Sequence, residues 1–283
     1  MILSDHFQIK RLWRGNKGRL PHELELPPLS WDGAGFPFAV AQDNKTLCLC
    51  NQTYLLEWVL SPRQATIDKV IRPLVEADLW GITSCSEGWV VVAHKSEEMM
   101  AVYLDHRLRT LRTVLLEGFL KDYNLSPPLR VRWDPKDRIH LADDEQGITV
   151  NSLGQTVSRW QCPYGFTTRA DGTLLIPKPE QTPLANKMPT LLGIDRRGLY
   201  YWQVDTPRDH PLQPYIETSL VICDSRGTIE RQFALNGDLG AIRELRAASQ
   251  VDWIEVANTG QIYVLGWTHK GLRGVVGLWR LSA

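Results

Sequence analysis

The residues of this chain that could do chemistry together are two histidines and two aspartates from distant parts of the sequence. His94 follows the apolar run WVVVA, Asp143 and Asp144 follow RIHLA, and His269 follows YVLGWT. Neutral imidazole and carboxylate groups suit a divalent metal ion, and such sites are built by side chains that converge from separate strands. These four residues therefore form a candidate site for one divalent ion, and with it for a metal-dependent hydrolase or lyase.

The same four residues also have a purely structural interpretation. Polar residues at the ends of strands need no function, because they lie at a solvated surface. The acidic stretch DDEQG is in addition typical of a capped turn, since aspartate favours turns. The sequence contains no GxSxG elbow, no HExxH and no Walker loop. This interpretation predicts no catalytic residue and no cofactor, and we prefer it to the metal site.

A second candidate site is a surface that binds a protein partner. Two Pro-rich segments, PKPEQTPLANKMPT and DTPRDHPLQPYIET, interrupt the pattern around them and are interpreted as long loops. Long loops in compact domains are often functional, and tyrosine and tryptophan are enriched at interfaces. The alternative is that both segments only plug a channel or cover an edge. Under the partner hypothesis the contact residues are Trp31, Tyr201, Trp202, Asp209, His210 and Tyr215.

Short apolar runs separated by Asp, Asn and Gly predict the β-strands that position the candidate metal ligands and partner contacts. PFAVAQDNKTLCLCNQ, LWGITSCSEGWVVVAHK and RVRWDPKDRIHLADDE each predict a strand, a tight turn and a second strand. A second class of hairpin follows at intervals, as in ITVNSLGQTVSRW and LVICDSRGTIERQF. The first hairpins recur at steps of 43, 49 and 35 residues. A unit of roughly this length with four antiparallel strands predicts the blade of a β-propeller.

Residues 1–283 are therefore predicted to form a single all-β domain, a β-propeller. We expect six blades, with five as the alternative, because the region 164–235 holds three hairpins. Within it, residues 178–217 are predicted to form an irregular blade with long loops. Either LLGIDRRGLYYWQV is the outer hairpin of the fourth blade, or it is the inner hairpin of the next blade and the fourth is degenerate. Elsewhere NGDLGAIRELRAAS has apolar residues at helical spacing and predicts one short helix.

The C-terminal stretch from Val251 to Leu281 supplies only three strands. A sheet of three strands leaves an exposed edge, which natural proteins avoid. The β-capable segment FQIKRLWRG near the N-terminus can supply the missing fourth strand. We therefore predict that residues 1–15 hold a strand that closes the last blade, and that Trp13 and Trp279 lie in the same blade.

The segments VANTGQIYVLGW and VICDSRGTIERQF resemble the repeat of the NHL and YVTN class of propellers, which is WD40-like in architecture. In that class an apolar strand, a D-x-x-G turn and a strand similar to hIYVAD recur. The resemblance implies the propeller fold over most of the chain. It carries no function, because propellers host many unrelated activities.

Composition limits the kind of partner. Lysine plus arginine equals aspartate plus glutamate, 32 against 32, whereas nucleic-acid-binding domains usually show a basic excess. No apolar run approaches the ~18 residues of a membrane helix, and no signal peptide is expected. Five cysteines without a disulfide framework predict a reducing cytoplasm, with Cys48 and Cys50 as buried thiols. We therefore expect a soluble, non-enzymatic interaction platform or scaffold that binds a protein partner, with its oligomeric state left open.

Overall fold

The computed structural model describes residues 8–16, 36–116, 125, 127–169, 171–184, 187, 189–209, 215–237, 240–245, 249–270 and 273–282. Regular structure in these residues is almost entirely β-strand, with one 3₁₀ turn at Pro179–Gln181. None of their helical structure has the length and apolar character that crossing a membrane requires. The chain divides into two compact units. Unit 1 comprises Met1–Gly18, Tyr164–Thr167 and Ile176–Ala283, and unit 2 comprises Arg19–Pro163 and Thr168–Leu175.

Unit 2 contains three antiparallel sheets of four strands, and in each sheet the strands follow chain order. The first sheet consists of β2 (Phe38–Val40), β3 (Thr46–Asn51), β4 (Tyr54–Leu60) and β5 (Ala65–Ile71). The second consists of β6 (Asp78–Cys85), β7 (Gly88–Lys95), β8 (Glu98–Asp105) and β9 (Thr110–Leu115). The third consists of β10 (Arg130–Asp134), β11 (Arg138–Ala142), β12 (Gln146–Val150) and β13 (Thr156–Gln161). A two-stranded sheet of β14 (Thr167–Thr168) and β15 (Leu174–Leu175) follows in the chain.

Unit 1 contains two further sheets of four strands. One consists of β16 (Thr190–Ile194), β17 (Tyr200–Arg208), β18 (Tyr215–Cys223) and β19 (Ile229–Ala234). The other consists of β20 (Ser249–Val256), β21 (Ile262–Lys270), β22 (Arg273–Ser282) and β1 (Gln8–Asn16). Each of the five sheets has the four antiparallel strands of a propeller blade. The fold is an all-β propeller with five blades, as the alternative count predicts.

The expected count of six blades is wrong because the fourth unit of the pattern is degenerate. Its hairpin, GFTTRADGTLLIPKP, forms only β14 and β15, of two residues each. The next two hairpins belong together in the sheet β16–β19, which is one of the two interpretations of the sequence. Pro177 and Pro179 follow β15 closely. Since proline has no backbone N–H, it cannot extend the ladder, and the hairpin stays short.

The N-terminal strand completes the last sheet, as the sequence predicts. β1 pairs antiparallel with β22 along its whole length. Trp13 lies opposite Leu278, the neighbour of Trp279, so the two tryptophans share one sheet. β1 thereby supplies hydrogen-bond partners to an edge that three strands alone would leave exposed.

The inner strand β7 of the second sheet is buried on both of its faces. Val90 and Val92 pack with residues of the third sheet, whereas Trp89 and Val91 pack with residues of the first. Successive side chains of a strand point to opposite faces, so a strand between two apolar layers needs apolar residues at every position. The run WVVVA is the result.

Five hairpin turns share one capping arrangement. In each, one side-chain oxygen accepts the backbone N–H groups two and four residues later in the chain. The capping residues are Asp105, Asp134, Asn151, Asp195 and Asp224. Because such a side chain satisfies donors that the turn itself leaves unpaired, Asp and Asn recur at these hairpins.

The second Pro-rich segment is largely a β-hairpin, which corrects its interpretation as a long loop. The range 178–217, predicted as an irregular blade, holds the 3₁₀ turn, β16, β17 and the start of β18. β17 continues to Arg208, which pairs with Tyr215 of β18. Pro207 is tolerated in this strand because β16 pairs with β17 only as far as Gln203. Beyond that point one edge of β17 has no strand to bond, and the missing N–H of proline costs nothing there.

The expected short helix in NGDLGAIRELRAAS is wrong as well. The described residues of this segment form turns and bends. The helical spacing was that of Leu239, Ile242 and Leu245; Ile242 and Leu245 are fully buried in the core of unit 1, and Leu239 lies outside the described residues. Their apolar character therefore serves packing against the sheets of unit 1 instead of one face of a helix.

Candidate functional site

The predicted metal ligands His94 and Asp143 make local contacts. The ring of His94, on β7, lies against the ring of Trp80, with centroids 4.8 Å apart. One carboxylate oxygen of Asp143 accepts the backbone N–H groups of Glu145 and Gln146, each at 2.9 Å. The stretch DDEQG therefore caps its own turn, as its structural interpretation predicts.

The other two predicted ligands, Asp144 and His269, provide no evidence for a metal site. Asp144 is exposed, and the side chain of His269 lies outside the described residues. Within the part of the chain that the structure describes, no group of three or more His, Cys, Asp and Glu side chains could hold a metal ion. The metal site of His94, Asp143, Asp144 and His269 stays a prediction.

Four of the predicted partner contacts lie at the surface or outside the described residues. Trp31 and His210 belong to the latter group. Asp209 is exposed just after β17, and Tyr215 is partly exposed at the start of β18. Their role in binding a partner stays a prediction.

The other two predicted contacts, Tyr201 and Trp202, are core residues of unit 1. They are 1% and 0% exposed. The Tyr201 hydroxyl donates to a carboxylate oxygen of Asp195 at 2.9 Å, and Trp202 Nε1 donates to the Cys223 sulfur at 3.2 Å. This corrects the expectation that both residues offer surface to a partner, because their polar atoms are used inside the unit.

Four strongly exposed apolar side chains lie on, or in a turn next to, the outer strands of two sheets. In unit 2, Leu111 and Leu115 on β9, Leu153 in the β12–β13 turn and Val157 on β13 are 50%, 47%, 70% and 55% exposed. The β12–β13 turn packs directly on β9, because a Cβ on Gly154 would collide with the carbonyl oxygen of Leu115. The turn, and with it Leu153, therefore lies beside the C-terminal end of β9. We call β9, β13 and the β12–β13 turn the outer-strand surface.

The outer-strand surface has the composition of an interaction surface. β9 (TLRTVL) and β13 (TVSRWQ) contain no acidic residue and no lysine, and most of their residues are exposed. Interfaces are depleted in lysine and acidic residues and enriched in arginine and aromatic residues. β9 and β13 also stand last in their sheets, so each presents an edge that its own sheet does not pair.

A pocket of about 400 Å³ opens beside β9, between the second and third sheets of unit 2. Its walls come from the β6–β7 turn, β8, β9, β10 and the β10–β11 turn. This volume lies at the lower end of the range for small-ligand sites. We call it the Tyr103 pocket. The residues that give it its chemistry are Glu87, Tyr103, Leu111, Arg112, Pro135 and Asp137.

The Tyr103 side chain is buried at this pocket, and its hydroxyl forms no hydrogen bond with a described residue. The Arg112 guanidinium lies 3.9 Å from the centre of the Tyr103 ring. It also donates to Asp137 at 2.6 Å, and Trp133 Nε1 donates to the other oxygen of that carboxylate. Burial and the charge of Asp137 raise the pKa of Tyr103 to about 12. The pocket therefore borders a protonated, unpaired hydroxyl.

A chain of side-chain hydrogen bonds crosses the third sheet with one residue from each strand. Trp160 Nε1 donates to Thr149 Oγ1 at 3.1 Å, and Thr149 Oγ1 lies 2.9 Å from His140 Nδ1. His140 Nε2 lies 3.2 Å from the Asp134 carboxylate, which Arg138 also binds at 2.6 Å. Because a carboxylate only accepts, the ring proton of His140 sits on Nε2, and the Thr149 hydroxyl donates to Nδ1. Every donor in this series of hydrogen bonds then points from Trp160 toward Asp134.

Aspartate, histidine and a hydroxyl in contact resemble a catalytic triad in composition, but this set is closed to substrate. Thr149 is 2% exposed and His140 1%. Burial lowers the pKa of His140, and the hydrogen bond to Asp134 offsets only part of that effect. The histidine is therefore neutral, and the set stabilises the sheet.

This set of residues was not predicted from the sequence. A usable signal was present: Asp134 occupies a turn, and His140 follows it by six residues on the same predicted hairpin. Their partners Thr149 and Trp160 lie on two later strands, so the full set could be found only by pairing those strands.

Comparisons with known proteins show a similarity of fold and nothing about activity. No protein-family model matches the chain, and no curated protein matches it. A luciferin-regenerating enzyme superposes with a TM-score of 0.51 at 10% identity, over 90% of this chain and 93% of that chain. The WD40 domain of Toxoplasma gondii coronin gives 0.48 at 10% identity, over 97% of this chain and 86% of that chain. Kluyveromyces lactis Hsv2 gives 0.45 at 8% identity, over 83% of this chain and 72% of that chain.

These likenesses do not distinguish one class of propeller from another. The resemblance to the NHL and YVTN class therefore stays a prediction, and the chain is assigned by its own sheets to the β-propeller fold.

Proposed function

We propose that this chain is a non-enzymatic interaction subunit, a β-propeller that binds a protein partner through the outer-strand surface. The observation that carries the proposal is the exposure of Leu111, Leu115 and Val157 on strands without acidic residues or lysine, and of Leu153 in the β12–β13 turn. Burial of apolar surface is worth about 25 cal/mol per Å². A partner that covers these side chains recovers that free energy, which the isolated chain forgoes.

The outer-strand surface can serve a partner because most of its side chains lie outside the core of unit 2. β7 is buried at nearly every position, whereas β9 is exposed at nearly every position. Substitutions at exposed positions usually change stability by no more than about 0.5 kcal/mol. Binding and folding can therefore be separated by mutation.

The experiment is affinity capture with the tagged full-length chain, followed by binding measurements with the purified partner. Leu153→Asp and Val157→Asp are introduced together, since a charge at both positions opposes apolar contact without touching the core. We expect the partner to bind the wild-type chain and to bind the double variant at least tenfold more weakly, a loss of about 1.4 kcal/mol or more. Thermal unfolding of both proteins should be the same.

Val75→Asp is the matched control. Val75 is 62% exposed, yet it lies between β5 and β6, outside the outer-strand surface. This variant should bind the partner like the wild type. Equal binding by the double variant would contradict the proposal. A purified chain that carries about one divalent ion, lost on His94→Ala, would favour the metal-dependent hydrolase or lyase instead.

A further inference from the structure

The Tyr103 pocket adjoins the outer-strand surface, because Leu111 and Arg112 of β9 form part of its wall. Two carboxylates and one guanidinium line the pocket, so one negative charge is left over. Arg112 and Asp137 compensate one another through an ion pair of 2.6 Å. The remaining charge belongs to Glu87, whose exposed carboxylate has no hydrogen bond or ion pair to a residue that the structure describes.

The Tyr103 hydroxyl is a second group, besides the Glu87 carboxylate, that could accept a hydrogen bond from a ligand in the pocket. Buried polar groups in native proteins are nearly always hydrogen-bonded, so an unpaired one needs an explanation. Tyr103 is 1% exposed and borders the pocket, and its oxygen has no partner in the described part of the chain. A group that enters the pocket with N–H donors would complete it.

We propose that the Tyr103 pocket binds the side chain of an arginine presented by the protein partner, an inference that rests on the proposed function. A guanidinium has five N–H donors in a planar fork, enough for both the Glu87 carboxylate and the Tyr103 oxygen. Its aliphatic stem can lie along Leu111 and Pro135, which supply apolar wall. The ion pair with Asp137 reduces the repulsion between Arg112 and the incoming cation.

The probe is arginine capped at both ends, Nα-acetyl-arginine N-methylamide, titrated into the full-length chain by isothermal titration calorimetry. We expect saturable binding at one site with a Kd on the order of 1 mM, as is usual for a single side chain. Capped citrulline has nearly the same shape without the charge and should bind at least about tenfold more weakly. Capped glutamate should not bind.

Two substitutions test the two contacts separately. Glu87→Gln removes the uncompensated charge and should weaken binding of capped arginine about tenfold. Tyr103→Phe removes only the hydroxyl and should weaken binding of capped arginine about threefold without lowering the thermal midpoint, because no described residue forms a hydrogen bond with that hydroxyl. Glu98→Gln is the matched control. Glu98 is also exposed but lies beyond β7, at its other end, and its replacement should leave the Kd unchanged.

The inference is overturned if the wild-type chain shows no saturable binding up to about 20 mM capped arginine. It is also overturned if Glu87→Gln leaves the Kd unchanged, or if capped citrulline or capped glutamate binds as tightly. Failure here with a partner still lost on Leu153→Asp and Val157→Asp would leave the proposed function intact. If capped arginine binds as expected but the partner ignores those two substitutions, the proposed function falls, and with it the claim that a partner presents the arginine.

Discussion

Asp134 in unit 2 and Asp195 in unit 1 occupy the same place in their hairpins, yet they organise different structures. Each carboxylate caps its turn with one oxygen and binds an arginine with the other. That second oxygen also accepts a hydrogen bond from the residue six positions later, His140 in one hairpin and Tyr201 in the other. The same local arrangement therefore occurs twice with different donors.

The two donors differ in whether they can form a further hydrogen bond to another strand. The imidazole of His140 has a second nitrogen, which continues through Thr149 to Trp160 and so links all four strands of the third sheet. The phenol of Tyr201 has only one polar atom, which also accepts from Arg197 at 3.1 Å. The cluster around Asp195 therefore stays within the β16–β17 hairpin. A single change of residue type decides whether a capped turn stabilises a hairpin or a whole sheet.

The largest difference between the clusters should appear when each aspartate becomes asparagine. Asp134→Asn should lower the free energy of unfolding by about 3 kcal/mol and Asp195→Asn by about 2 kcal/mol. The new amide N–H faces the next donor in both hairpins. The Tyr201 hydroxyl can turn and accept it, whereas His140 can do so only by moving its proton to Nδ1, which deprives Thr149 of its acceptor. Urea unfolding at pH 7 measures both values. Equal losses would show that the hydrogen bonds from His140 to Thr149 and Trp160 add nothing to the free energy of unfolding.

Thr149→Val tests the part of the network that has no equivalent at Asp195. Valine has nearly the same volume but leaves His140 Nδ1 and Trp160 Nε1 without their hydroxyl partner. We expect a loss of about 2 kcal/mol in the free energy of unfolding, again by urea unfolding. Thr113→Val, at an exposed position on β9, is the control and should change little. An unchanged stability of the Thr149 variant would mean that the hydroxyl is dispensable.

The His140 cluster should weaken on the acid side. Burial holds the pKa of His140 below its ordinary value of 6.5, so the unfolded chain takes up a proton first as the pH falls. Stability should therefore decrease below pH 6.5, by at most about 1.4 kcal/mol per pH unit. His140→Gln keeps an N–H for Asp134 but does not titrate, so its stability should lack this slope. Unfolding at several pH values between 7 and 5 measures the difference, and parallel curves would refute the assignment.

The Asp195 cluster should weaken on the alkaline side. Burial and the hydrogen bond to Asp195 raise the pKa of Tyr201 from its ordinary 10 to about 12. The unfolded chain then loses its proton first, so this contribution to stability is complete below pH 10 and decreases above it. Tyr201→Phe should cost about 1 kcal/mol at pH 7, through one lost hydrogen bond. That cost should shrink toward pH 11, and a constant difference would argue against the raised pKa.

Much of the fold could be predicted because its determinants are close together in the chain. Asp195 and Asp224 cap turns through their own backbone neighbours, so their hairpins were visible as short patterns. The count of blades was harder, because the hairpin at β14 and β15 has the same pattern as the others. Only the prolines after β15 show that it stays short.

The candidate sites could be predicted less well. The Pro-rich segment around Pro207 drew attention to Tyr201 and Trp202, which the structure places in the core. The exposed Leu153 and Val157 were not singled out, because a strand of alternating residues does not reveal whether a further layer covers it. The Tyr103 pocket could not be predicted either, because its walls come from two different sheets whose packing no local pattern reveals.

The local pattern of the sequence was sufficient to place most of the hairpin turns and the N-terminal strand that completes the last sheet. Each of these depends on a residue and its neighbours, or on an edge that must find a partner. The tertiary structure alone decided which polar groups are buried together, such as His140 with Thr149, and which apolar side chains remain exposed. Burial depends on the packing of whole sheets against each other, a relation between distant residues that no short pattern contains.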